Sequence, residues 1–147
     1  MTQKDKDLLL KDLCARLPYG VKIHINSPIE EQNSMELFDV NLDSEHIGVG
    51  NEKWVFRAIP IIDDENETKV IKPYLRPLSS MTEEERHELI HFGGIVRIDT
   101  GEVIDVSCLG FKHHANNQDW LNAHHFDYRG LIPMGLALEA PEGMYEI

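Results

Sequence analysis

Between Val21 and Ile59 the apolar residues recur at every second position in short runs, and turn signals separate the runs. A period of two puts one set of side chains on one face, so each run suits a strand with one face buried. Val21, Ile23 and Ile25 alternate with Lys22 and His24, which places His24 outward as a surface histidine. Phe38, Val40 and Leu42 alternate with Asp39 and Asn41 in a second strand. Ile47 to Val49 and Trp54 to Ile59 flank Gly50-Asn51-Glu52-Lys53, a stretch with hairpin-turn composition. These are several short strands at close spacing, joined by turn signals. They predict a small antiparallel sheet with a barrel-like curl.

Helical signals surround this sheet. Thr2 and Asp5 have capping spacing, and Leu10, Leu13 and Leu17 recur at i, i+3 and i+7 with Leu9 and Cys14 beside them. Lys11, Asp12 and Arg16 then fall on the outer side, and Pro18 and Gly20 stop the helix. Pro73 and Pro77 hold the middle of the chain extended. Thr82 and Glu85 form a second capping box, opening a helix that Gly93-Gly94 closes. Lys69 to Ile71 reads as a short strand, and Ile95 to Ile98 with Val103 to Val106 as a second hairpin. A last short helix is expected from Asp119 to His125, with Trp120 over His124 and Leu121 over His125. The tail from Leu131 to Leu138 is expected to lie extended against the sheet. The pattern is that of one α+β domain over residues 1–147, without a linker long enough to divide it.

Charge removes several function classes. The chain carries 14 Lys and Arg against 26 Asp and Glu, a net charge of -12. Binding to nucleic acid or to an anionic membrane needs a basic face, which this acidic chain lacks. Asp63 to Glu67 is an acidic cluster, read as a solvated loop because the glycine and terminal glutamate of a calcium loop are missing. Cys14 and Cys108 lie far apart and outside any C-x-x-C, as expected of reduced thiols. The apolar run near the N-terminus is too short for a signal or a membrane helix, so the expected compartment is the cytoplasm.

Three blocks carry a likeness. They are Leu9 to Val21, Ile71 to Glu84 and Asp119 to Ile132, which together make up about a third of the chain. They resemble a family of short uncharacterised proteins encoded in phages and prophages of gut bacteria. The resemblance implies a mobile-element origin and no particular activity.

Two stretches could carry chemistry. His87-Glu88-Leu89-Ile90-His91 is an H-E-x-x-H on an expected helix. Two His at i, i+4 can share a Zn²⁺ while Glu88 takes a proton from bound water. Arg97 stands where the longer form of the motif has its third His, leaving Glu102, Asp105, His113 or His114 as ligands. The alternative reading has His87 and Glu88 solvated and His91 favouring the helix C-terminal dipole, and it is preferred: no metal or cofactor is expected. The second stretch gathers His124, His125, Asp127, Tyr128 and Arg129 after Trp120. Asp127 and Arg129 could pair, or Arg129 could bond the last helix carbonyls. Anchoring of the tail is favoured there, with a partner-binding surface as the alternative. His113-His114, Asn122 and His124-His125 also invite a nuclease reading, which lacks the required hairpin-helix spacing. The sequence therefore points to a non-enzymatic accessory or structural protein acting through a protein partner or self-association. A zinc-dependent hydrolase on His87, Glu88 and His91 is the alternative.

Overall fold

The computed structural model describes residues 2–61, 71–91 and 118–145. The elements run α1 (Gln3–Arg16), β1 (Lys22–His24), β2 (Met35–Asn41), β3 (His46–Gly50), β4 (Val55–Pro60), β5 (Lys72–Leu75), α2 (Glu83–His91), α3 (residues 118–123) and β6 (Leu138–Glu139). The fold is α+β, and its six-stranded sheet is an open half-barrel in the order β4-β3-β2-β1-β5-β6. β1 pairs antiparallel with both β2 and β5, and β3 pairs antiparallel with both β2 and β4. Contacts divide the chain into two compact units, one of residues 1–74 and 131–138, the other of residues 75–130 and 139–147.

The first unit begins with the expected capping box. Thr2 Oγ1 accepts from Asp5 N at 3.1 Å, and Asp5 Oδ2 accepts from Thr2 N at 3.3 Å. The buried stripe of α1 differs from the expected one. It is Leu9, Asp12, Leu13 and Arg16, with Leu10 beside it, so Asp12 and Arg16 face inward rather than to solvent. Both side chains are fully buried, and Arg16 Nε donates to Asp12 Oδ2 at 2.8 Å. A run of three leucines followed by Leu13 fits two helical phases, and polarity alone selects the wrong one. The i, i+4 spacing lets the two charges pair inside the protein. A 3-10 turn over Leu17–Tyr19 follows, and Gly20 ends it at φ 71°, where a side chain would be strained and would run into Glu36.

β2 starts earlier than its alternation suggests, and its phase differs. Met35 and Leu37 point into the core, while Phe38 is 45% and Leu42 59% exposed. At Phe38 the cause is a bulge: Leu37 pairs with Val49 and Asp39 with Gly48, so Phe38 is the extra residue, whereas Leu42 lies in the turn past the end of β2. The displaced ring lies over β3, where a Cβ on Gly48 would come within 2.7 Å of it. The β3–β4 hairpin forms as expected, with Asn51 Oδ1 accepting from Lys53 N at 2.8 Å and Trp54 N at 2.9 Å. The stretch 131–138 is a correction. It is turn-rich rather than extended, with Leu136 N bonding Leu131 O at 3.0 Å, and only Leu138 joins a strand. Leu131, Leu136 and Ala137 are buried nonetheless.

In the second unit Met81, Trp120, Leu121 and Phe126 form a core cluster, with Leu78 and Tyr128 packed against it. Each such side chain contributes about 1.5–3 kcal/mol of burial. No helix among the described residues is long and apolar enough to cross a membrane. Asp63 to Glu67, Lys69 and Val70, Gly93-Gly94, the hairpin expected over residues 95–106, Cys108 and His113-His114 lie outside the described residues.

Candidate functional site

Residues 118–123 form one turn and a half of helix, and the way that helix ends organises everything around it. Phe126 N bonds Leu121 O at 3.0 Å, and His125 N bonds Asn122 O at 3.1 Å. Those two bonds make a Schellman ending, whose left-handed position is usually a glycine. Here His125 occupies it at φ 62°. The helix therefore stops before His125 rather than including it. The apolar contact that accompanies such an ending is Phe126 with Trp120 and Leu121.

The remaining side chains of the block are drawn into this core. His124 stacks on Trp120 at 4.0 Å, as its spacing predicts, and its Nδ1 is 2.9 Å from Trp120 O. Trp120 stacks on Phe126 at 5.8 Å. His125, 8% exposed, stacks on Tyr145 at 3.7 Å. Tyr128 Oη donates to Asn122 Oδ1 at 3.0 Å, and the Arg129 guanidinium lies 4.6 Å over the Tyr128 ring. Asp127 is buried, and its N–H donates to Arg76 O at 2.8 Å. His124, Tyr128 and Arg129 stay half-buried.

Arg76 ties this block to α2. Its N–H donates to His125 O at 2.7 Å, and its guanidinium lies 4.2 Å over the Phe126 ring. Nη1 and Nη2 each donate to one oxygen of Glu85 at 2.7 Å, a bidentate pair. Glu85 is also the return arm of the α2 capping box, accepting from Thr82 N at 2.9 Å while Thr82 Oγ1 accepts from Glu85 N at 3.1 Å. Burial raises the Glu85 pKa, but its bonds to Arg76 and Thr82 outweigh burial, and the carboxyl sits below the ordinary glutamate range. Sequence reasoning found the capping role of Glu85 and missed Arg76, because no local pattern signals a partner nine residues away on another element.

The α2 helix carries His87 and His91 at i, i+4, as the motif requires. The His87 side chain is 76% exposed, with Nε2 3.9 Å from Glu83 Oε1, and Glu88 is exposed. The His91 side chain lies outside the described residues, as do Arg97, Glu102, Asp105, His113 and His114. Among the described residues no group of three or more His, Cys, Asp or Glu could hold a metal ion.

Elsewhere, His24 is half-buried rather than exposed, with Nδ1 3.1 Å from Tyr74 Oη. Burial, then the Lys72 charge, lower its pKa against a backbone hydrogen bond at Asn33 that raises it. The half-buried Cys14 thiol is pushed up by burial, which disfavours the reactive thiolate. A groove of about 420 Å³ opens in the second unit beside Arg76, Pro77, Thr82, Glu139, Glu142 and Tyr145.

No family model matches this chain, and no curated protein or solved structure matches it.

Proposed function

We propose that the chain is an accessory or structural protein of phage or prophage type that acts in the cytoplasm through contacts with another protein or with itself. One observation carries this reading. The segment densest in functional-type side chains, 120–129, has its aromatic, histidine and amide groups engaged in stacking and hydrogen bonding within the unit. Catalysis needs acid, base or nucleophile groups aimed at an open reacting position. Groups held as these are suit a rigid display surface better. The net charge of -12 argues against a nucleic-acid partner.

The zinc hydrolase remains a second reading, favoured by the placement of His87, Glu88 and His91 on α2. One experiment separates the two. The purified chain, without a His tag, is equilibrated with limiting Zn²⁺, desalted and analysed for metal, and the same preparation is used for affinity capture and sedimentation. A saturable protein partner or a defined oligomer, with no stoichiometric zinc, is the expected result. One zinc per chain that is lost in His87→Ala, together with peptide hydrolysis, would overturn the reading.

A further inference from the structure

The groove beside Glu139 and Glu142 has a charge that its position near an arginine disguises. Arg76 lines it, but both terminal nitrogens of Arg76 are bonded to Glu85, so that cation is already neutralised. Thr82 and Ser80 also line the groove, and their hydroxyls are engaged: Thr82 Oγ1 accepts from Glu85 N, and Ser80 Oγ donates to Pro77 O at 2.7 Å. The charges left over are the carboxylates of Glu139 and Glu142, both exposed, with no ion pair to any described residue. Apolar surface comes from Pro77, Pro141 and Tyr145, and the Tyr145 ring is fixed by its stack on the buried His125.

A concave site with two unpaired carboxylates, prolines and a fixed aromatic ring suits a side chain with an apolar stem and a cationic head. Lysine and arginine have that form, their methylenes lying along apolar surface while the charge reaches the carboxylates. An anion is disfavoured there, because the arginine that lines the groove is already paired and the free charges are negative. We propose that this groove receives a basic segment, rich in Lys or Arg, of a protein partner. The inference rests on the partner-binding reading and names the chemistry of the partner.

The test uses the full chain and a dye-labelled hexalysine peptide, followed by fluorescence anisotropy at physiological salt. Three proteins are compared: the wild type, Glu139→Gln/Glu142→Gln, and Glu30→Gln/Glu31→Gln. The third removes the same two charges from an exposed turn of the first unit. The groove variant is expected to bind about fivefold more weakly and the control within about twofold of wild type, as exposed ion pairs allow. Equal weakening in both variants, or no binding by the wild type, would overturn the groove and leave only attraction to a net negative chain. Affinity capture with the groove variant separates this inference from the reading beneath it. A partner retained undiminished by Glu139→Gln/Glu142→Gln sinks the groove and leaves partner binding standing. A wild type that captures no partner and does not self-associate sinks the partner-binding reading itself.

Discussion

Each unit holds an arginine–carboxylate pair out of water, and the two pairs are held differently. Asp12 and Arg16 lie one turn apart on a single helix, fully buried, and meet at one nitrogen and one oxygen 2.8 Å apart. Arg76 and Glu85 come from different elements, meet through two bonds of 2.7 Å, and keep slight exposure at 13% and 7%. The first pair joins two charges that the helix phase has carried inside. The second fastens three features together, since Glu85 caps α2 and Arg76 bonds the backbone at His125 and covers Phe126. A buried pair costs its desolvation wherever it sits, so its value is measured by what else it organises.

The largest effect should come from breaking the first pair. Asp12→Ala leaves a buried guanidinium without its partner and should lower stability by about 4 kcal/mol, read from the urea midpoint. Removing both charges should undo most of that loss: Asp12→Leu/Arg16→Met should return to within about 1 kcal/mol of wild type. Glu85→Ala should cost about 3 kcal/mol, because it removes a capping arm as well as the partner of Arg76. Its pH dependence has a definite sign. A carboxyl depressed by folding contributes stability that is present above the ordinary glutamate range. That contribution is lost as pH falls through the lower folded value, so the gap between wild type and variant should close in acid.

Smaller effects test the Schellman ending. His125→Ala loses the Tyr145 stack and keeps the left-handed strain, and should cost about 1 kcal/mol in thermal unfolding. His125→Gly loses the stack but relieves the strain, and should fall within about 0.5 kcal/mol of wild type. The smallest effect belongs to His24. Its folded pKa lies below the unfolded one, so the unfolded chain binds more protons in the window just under the ordinary histidine value. Stability should rise with pH across that window and level off above it, and His24→Asn should flatten the slope in melts run between pH 5 and 7.5.

What could be read from sequence followed the range of the interactions. Both capping boxes, the Gly50–Lys53 hairpin turn and the Trp120–His124 stack depend on residues within four positions, and each has a fixed spacing. The inner face of α1 was illegible because it is defined by what packs on it, and an ion pair can sit there as well as a leucine. The phase of β2 was illegible because a bulge at Phe38 inverts the alternation after Leu37. His125 as a helix stop broke the expectation that glycine takes such positions. Arg76, which joins the α2 cap, the His125 backbone and the Phe126 ring, carried no local signal at all.

Arg76 and Glu85 are structural partners, and their pairing leaves the groove beside them acidic. A double-mutant cycle in urea unfolding with Arg76→Ala, Glu85→Ala and the double variant measures that partnership. A coupling energy of about 2 kcal/mol is the predicted result. Coupling below about 0.5 kcal/mol would contradict it, because Glu85 would then not be what holds the Arg76 charge.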